Sequence, residues 1–525
     1  RTGRGQLVET SHQEVIAALH QFSLLRYTHT GSILNRMGNR YSGPGTPIGA
    51  YECADGWIGL AISQSDQMER LLEVTGLITL LDHEEVDTIY DVMTNQELLD
   101  SHLIPYLKTQ PRDDLVELFQ ALRLPVAPIS DIDDLLEDPH FEERDFWNET
   151  TDGVKSPGPP FRLSHHKWEL GPKKRSGVFA SSDEPVTHLA DGPLTGLRVL
   201  DMTRVWAGPL AARVLADLGA EVLMTEVPWT RTPLEVPQSY VNSTHFFPDD
   251  DAGERPWNRT GFHNKYANNK MSTVIELDKP AGRDFFVRML PKVDVVIENY
   301  APRVMPNFGL DETELKQHNP DLTYVTMPGY GRTGPYKDWV AYGPTIDGHA
   351  GHTWLTGYRD DIPWKCGIAW PDPTAGLHAA AATIVALLDR QCCGITGQTV
   401  EVAQVEAAIN MIGRHVVAAQ VDEPPQRLGN RRPGRAPQGV YKCQGDDRWI
   451  AISVVDDDCW AALCKVTGWS DLEELDAAQR WRDHDAIDAR LAAFTAQRND
   501  FSLMMELQAA GVPAGAVFDA ADVVN

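Results

Sequence analysis

Asp372 is the carboxylate whose setting in the chain invites chemistry. It precedes Pro373 and Gly376 at the head of an apolar run, AGLHAAAATIVALLDR. An Asp-Pro pair suits a helix start, where the carboxylate caps backbone N–H groups. A carboxylate, ionised near neutral pH, is also a nucleophile that needs no general base. Capping and catalysis are compatible, and both stay open at this level. His349 and His352 lie upstream and offer imidazoles for proton exchange, although surface or packed roles suit them better. His349-x-x-His352 and the His165-His166 pair lack the closed ligand set that zinc takes, so no metal site is expected. Seven cysteines, two of them adjacent at Cys392 and Cys393 and none in a CxxC, read as reduced thiols of a cytosolic protein.

The elements that must position these groups alternate in type. Leu197–Met202 reads as a short buried strand. Ala207–Ala220 has apolar residues at helical spacing, with Pro209 in its first turn and Gly219 at its stop. Glu221–Glu226, Val293–Glu298 and Leu322–Met327 are further strands with helical stretches between them. This alternation predicts a doubly wound α/β sheet. Such sheets bind ligands beyond the carboxyl ends of their strands, which brings forward Thr203–Ala207, Asn299-Tyr300 and Gly329-Tyr330. The same residues also suit as plain turn formers. The first turn, TRVWAGPLA, lacks G-x-G-x-x-G and holds Pro209 where a diphosphate would need the backbone, which argues against a dinucleotide.

Composition narrows the classes. Hydrophobic residues make up 42% and charged residues 23% of 525, an ordinary globular balance. No apolar stretch is long enough for a membrane span. A formal net charge of −28 argues against a nucleic-acid partner, which is held by clustered Lys and Arg. An anionic ligand would have to be held by local basic groups, backbone N–H donors or helix N-termini.

The chain repeats itself. Gln6 and Gln398, Glu9 and Glu401, Glu14 and Glu406, Trp57 and Trp449, and Gly76 and Gly468 all stand 392 positions apart. Gly49-Ala50-Tyr51 matches Gly439-Val440-Tyr441, and Pro125 matches Pro513, with small drifts that read as loop insertions. So long a period means two copies of an enzyme-sized unit rather than a solenoid. The expected order is the end of a large domain (1–40), a small domain (41–135) and a return segment (136–170) of copy one. A linker (171–192) follows, then the large domain (193–428) and small domain (429–525) of copy two. On this reading the chain is a fragment, lacking the front of copy one and the tail of copy two.

Five ordered segments carry a resemblance: PLTGLRVLDMTRVWAGPLAARVLADLGAEVLMTE (193–226), NNKMSTVIELDKPAGR (268–283), DVVIENYAPRVMPNFGL (294–310), NPDLTYVTMPGYGRTGPY (319–336) and the block 372–407. Together they resemble the family III CoA-transferases, the CaiB/BaiF group that includes formyl-CoA transferase and crotonobetainyl/carnitine CoA-transferase. The resemblance implies a Rossmann-like large domain plus a smaller α+β domain, here in a truncated tandem repeat. It implies an enzyme of the EC 2.8.3 type that moves coenzyme A from an acyl-CoA to a small carboxylic acid. Asp372 would be the nucleophile, passing through aspartyl anhydride and aspartyl-CoA thioester intermediates. Acyl-CoA is then a substrate, with no permanently bound cofactor, and the site is cytoplasmic.

Residue by residue, the resemblance places Val205, Trp206 and Ala207 along the adenine and pantetheine path and Lys270 at a phosphate. Asn299 and Tyr300 match a CoA-contacting pair, Asn307 and Phe308 a further contact, and Gly329-Tyr330 a pair near the reaction centre. Met271, Asn307 and Pro328 stand where relatives carry basic residues, so Arg204 and Arg231 are offered as substitutes. The segment 429–437 takes the place of a loop that closes over the site. A homodimer, or an intrachain pseudo-dimer, is implied. An α-methylacyl-CoA racemase shares the fold, but Ala341-Tyr342-Gly343 stands where its Gly-His-Asp would be. A tandem CoA-transferase/lyase with one inactive copy is the other alternative. Trp354, Tyr358, Trp364 and Trp370 read either as an apolar acyl wall or as core.

Overall fold

A computed structural model describes residues 7–34, 36–41, 47–168, 192–227, 247–421 and 425–525. The chain divides into two compact units, Arg1–Leu355 with Pro363–Pro425, and Thr356–Ile362 with Gln426–Asn525.

Within the first unit, β1 (Ile48–Glu52), β2 (Trp57–Ala61) and β3 (Val126–Pro128) form an antiparallel sheet in sequence order. Helices Ser65–Thr75, Gln96–Leu107 and Arg112–Ala121 connect β2 to β3 and bury Met68, Leu99 and Phe119 against Ile58 and Leu60. The return stretch holds a ribbon of β4 (Asn148–Glu149) and β5 (Lys155–Ser156), then β6 (Arg162–Leu163).

The large sheet is built from β7 (Arg198–Asp201), β8 (Glu221–Glu226), β9 (Lys270–Val274), β10 (Val295–Glu298), β11 (Thr323–Thr326) and β12 (Thr399–Glu401). Its order is β6-β12-β11-β10-β7-β8-β9, parallel throughout except for β6, which pairs antiparallel with β12. Without β6 this is the doubly wound order, with the switch point between β7 and β10. Val199, Val295, Ile297, Val325 and Val400 pack into one apolar layer, whereas Leu200, Val296 and Tyr324 pack into the other. Successive side chains leave opposite faces of a strand, so a run such as VVIE serves both layers at once. The expected strands are present to within two residues of their predicted ends, and the helix after β7 starts where expected, at Ala207, but ends three residues early, at Asp217.

The return stretch is anchored to the large sheet by charge as well as by β6. Arg144 is fully buried; its Nε donates to Glu406 at 2.5 Å and a terminal nitrogen to Glu401 at 2.9 Å. Its other terminal nitrogen donates to the Thr333 hydroxyl at 2.9 Å. A buried guanidinium persists only when its donors are met this fully.

The second unit, taken by itself, repeats the small-sheet plan. β13 (Gln438–Lys442), β14 (Trp449–Ser453) and β15 (Ala514–Ala516) are antiparallel in sequence order, with helices Asp457–Thr467, His484–Thr495 and Asp500–Ala509 between the last two strands. Even the polar details recur. Tyr51 donates to Asp100 at 3.0 Å and Arg40 to the same carboxylate at 2.8 Å; Tyr441 donates to Asp488 at 2.7 Å and Arg431 to that carboxylate at 2.5 Å.

Candidate active site

Asp372 does not cap its helix. The helix runs Pro371–Cys393 with Trp370 at the cap position and no side-chain cap bond, which places Asp372 inside the first turn. Its carboxylate crosses instead to the Ala207 N–H, at the start of helix Ala207–Asp217. Gly376 explains how that is reached. It is one turn on from Asp372, on the same face, and a Cβ there would lie 2.5 Å from the Ala207 carbonyl oxygen. Gly343 clears the other side, since its Cβ would fall 2.0 Å from Asp372 Oδ2. The D-x-x-x-G spacing is thus the condition for bringing the acid of one helix to the N-terminus of another.

Asp372 is buried, with 8% of its surface exposed. Burial first, and the Asp347 charge second, push its carboxyl up to about 7, while the Ala207 N–H works the other way. The expectation of a carboxylate fully ionised at neutral pH is corrected here, because sequence alone cannot show desolvation.

The carboxylate faces a cavity of about 280 Å³. Thr203, Arg204, Val205 and Trp206 line it from the turn after β7, Pro209 from the helix that follows, and Met224, Thr225 and Glu226 from the end of β8. The turn is held by Asp201, which accepts from the Thr203 hydroxyl at 2.5 Å and N–H at 2.9 Å. Across the switch point Asn299 accepts from Arg204 N–H at 2.7 Å and donates to the Arg204 carbonyl at 2.8 Å. Val205 sits at φ +68°, a conformation a β-branched residue rarely adopts, and such strain gathers at functional turns. Gly208 lets the helix start close beneath it, since a Cβ would lie 2.4 Å from the Thr203 side chain.

Several residues named from sequence have other employment. The Lys270 side chain is fully buried and donates to Asp201 Oδ2 at 2.8 Å and the Pro209 carbonyl at 2.9 Å, so its ammonium serves the turn rather than facing the cavity. Asn299 likewise acts through Arg204. Tyr300 is half-buried, and its N–H donates to Glu298, a buried acid held above the usual carboxylate range by desolvation. Asn307 is exposed at the end of a short helix, Val304–Asn307, and Phe308 packs on the sheet layer that contains Met305. Gly329 is half-buried, and a Cβ there would lie 2.7 Å from the Ala341 side chain. Tyr330 is buried in a different apolar cluster, where its carbonyl accepts from His140 and its hydroxyl lies 3.2 Å from His349. Tyr330 therefore meets the return stretch, and neither Gly329 nor Tyr330 lines the Asp372 cavity. Arg231 lies outside the described residues, and the segment 429–437 belongs to the second unit.

The histidines have structural partners. His349 is fully buried, 2.9 Å from Asp138, and His352 lies 3.0 Å from Asp347 and 3.0 Å from the Ala408 carbonyl oxygen. Burial disfavours the His352 cation, but Asp347 holds its pKa above the ordinary value. Asp347, His352 and Cys366 each offer a ligand atom within 4.8 Å of one another, a trio that the separate histidine motifs did not disclose. None of Trp354, Tyr358, Trp364 and Trp370 lines the cavity. Sequence reading missed the residues that do: Phe22, Tyr41, Ile48 and Ala61 from the first part of the chain, and Phe262, His263 and Tyr266 from helix Gly261–Ala267.

A Rossmann-order sheet with a desolvated carboxylate held against a helix N-terminus near its switch point defines a class of α/β transfer enzyme. The sequence model of CoA-transferase family III matches residues 1–174 and 194–525, and the chain belongs to that family. It is an enzyme of the CoA-transferase type. It is 30% identical over 350 residues to the succinyl-CoA–D-citramalate CoA-transferase of Chloroflexus aurantiacus, covering 63% of this chain and 80% of that protein. The succinate–glutarate CoA-transferase of Agrobacterium fabrum is 29% identical, over 62% of this chain and 80% of its own length. A probable CoA-transferase of Mycobacterium tuberculosis is 25% identical over 71% of this chain but only 45% of its own length. Among solved structures, a CaiB/BaiF family protein from Brucella suis superposes with a TM-score of 0.53 at 27% identity, covering 64% of this chain and 86% of its own. No helix among the described residues is long and apolar enough to cross a membrane.

Proposed function

We propose that the chain transfers coenzyme A from an acyl-CoA to a carboxylic acid with Asp372 as the covalent nucleophile. The observation that carries this is the placement of the Asp372 carboxylate, desolvated beside the Ala207 N–H and open to the cavity. A carboxylate oxygen attacks the thioester carbonyl, the C–S bond breaks, and CoA leaves as thiolate from a mixed anhydride. The thiolate attacks the aspartyl carbonyl and releases the donor acid. The acceptor carboxylate then displaces CoA from the aspartyl thioester, and the returning thiolate takes the acceptor acyl group and frees Asp372. The Ala207 N–H is aimed to meet charge at the aspartyl oxygen as these intermediates form. Val205 and Trp206 border the route by which the pantetheine arm would enter, and Arg204 takes the place of the phosphate contact that Lys270 is too buried to make.

We also propose that residues 41–135 and 429–525 are two copies of one small domain. The recurrent strand order and the matched Tyr–Asp–Arg contacts support this, as does a relative of which this chain spans under half. On this reading copy one closes the site of copy two within one chain, as an intrachain pseudo-dimer. The racemase reading loses ground because His349 and His352 are committed elsewhere.

The test is label exchange between an acyl-CoA and its own free acid, with no second acid present. Exchange that disappears in Asp372→Ala supports the covalent route. Exchange of the α-proton with heavy water, without acid exchange, would favour the racemase.

A further inference from the structure

The cavity at Asp372 carries information about what it accepts. Six aromatic side chains, Phe22, Tyr41, Trp206, Phe262, Tyr266 and Tyr342, line it. Phe22 lies at their centre, 5.4 Å from Phe262, 5.9 Å from Tyr41 and 6.4 Å from Trp206, and Phe262 is 5.9 Å from Tyr266. Tyr41 and Tyr266 are both near enough to feel the Asp372 charge, so the aromatic wall adjoins the reacting carboxylate itself.

The charges are as telling. A substrate with a second carboxylate would need a cation to meet it in so apolar a space. Among the described lining residues the candidates are Arg204 and His263. One terminal nitrogen of Arg204 is committed to the Met202 and Thr203 carbonyls at 3.1 and 2.9 Å, its other donors are those assigned above to a CoA phosphate, and His263 stands 3.7 Å from Glu226. Lys365 lies 4.5 Å from the Tyr41 ring and borders a neighbouring small cavity rather than this one. Glu226 and Asp372 themselves repel a further anion.

We propose that the acid exchanged on Asp372 is a monocarboxylate with an apolar body, an arylalkanoate or a branched alkanoate, rather than a short dicarboxylate. Its single carboxylate is consumed in the thioester or anhydride linkage, and its body fills the aromatic enclosure. Aromatic rings offer large apolar area and edge or face contacts to such a group. Phe22 and Tyr41 come from the first part of the chain and Phe262 and Tyr266 from the helix before β9, so both sides of the enclosure select the substrate. The proposal rests on the reading of Asp372 as the site of acyl transfer.

The experiment compares the purified chain with 3-phenylpropionyl-CoA, isovaleryl-CoA, succinyl-CoA and oxalyl-CoA. It reads the rate at which the peptide containing Asp372 gains mass. The expected result is a preference of about tenfold or more for the apolar donors, sharply reduced in Phe262→Ala and separately in Phe22→Ala. Faster labelling by succinyl- or oxalyl-CoA, or an equal loss for all donors in both variants, would overturn it. In parallel, ligand-observed NMR follows binding of free 3-phenylpropionate and succinate. Binding of phenylpropionate that is lost in Phe262→Ala, with no adduct from any donor, would keep the apolar site and remove the Asp372 chemistry. Adducts from dicarboxylyl-CoA alone would do the reverse.

Discussion

At the scale of single residues, the carboxyl of Asp372 sets the pH behaviour. Held at about 7, it is half protonated at neutrality, and on the proposed route only the ionised form attacks. The value of kcat/KM should climb about tenfold per pH unit below 7 and level off above it. A profile flat from about pH 5 to 8 would contradict the raised value. Stability runs the other way. The folded pKa exceeds the ordinary 3.8, so the group costs nothing below about 4 and its cost grows as pH rises toward 7. Asp372→Asn should therefore raise Tm at neutral pH while abolishing exchange, with a gain of up to about 4 kcal/mol. Unchanged or lower Tm in Asp372→Asn would oppose this. The sequence displayed Asp372 plainly, because its D-x-x-x-G setting is local. It could not display Lys270, whose basic side chain in a matching block suggests a phosphate ligand. Asp201, 69 positions earlier, claims that ammonium, and only the folded sheet brings the two together.

At the scale of elements, the decisive contact is between helices Pro371–Cys393 and Ala207–Asp217. Gly376→Val would drive a side chain into the Ala207 carbonyl and lift Asp372 from its N–H donor. A displacement near 1 Å at a reacting group costs about 100-fold, and that loss of exchange is expected even where circular dichroism stays unchanged. Gly343→Ala should act similarly, through direct contact with the carboxylate. Wild-type exchange in both variants would show that the close approach is not needed. The strands were legible because short apolar runs between turn residues leave few alternatives. The start of the long helix was not. Asp-Pro signals a cap, yet the helix begins at Pro371 because the carboxylate finds a better donor across the crevice. The aromatic enclosure was hidden for a related reason, since Trp354 to Trp370 are near Asp372 in sequence whereas Phe22, Tyr41 and Phe262 are near it in space.

At the scale of the whole molecule, the return stretch and the large sheet behave as one body. Arg144→Ala leaves the buried Glu406 with only Arg162, at 3.3 Å, and the half-buried Glu401 with the Arg332 N–H, and a loss of about 3 kcal/mol is expected by chemical denaturation. A loss under about 1 kcal/mol would mean the network is dispensable. A protease site placed within 171–192 tests the pseudo-dimer directly. With β6 paired to β12, the two halves should stay together on a sizing column after cleavage and keep their exchange activity. Separation into inactive halves would refute the interlock. The proposed repeat rests on spacing in the sequence and on the matched strand order of the two small sheets. That Phe22 and Tyr41 of the first part complete a cavity with Asp372 of the second was not legible in the sequence, because spacing carries no contact.

The central claim is that the Asp372 carboxylate is joined to the transferred acid. One turnover with an acceptor acid labelled with heavy oxygen in both carboxyl positions tests it most directly. On the proposed route the donor acid carries off one Asp372 oxygen and the bridging oxygen of the second anhydride replaces it, so the peptide containing Asp372 becomes heavier by the difference between one heavy and one ordinary oxygen. Turnover that yields product with no heavy oxygen on that peptide would show that the acids exchange CoA without passing through Asp372.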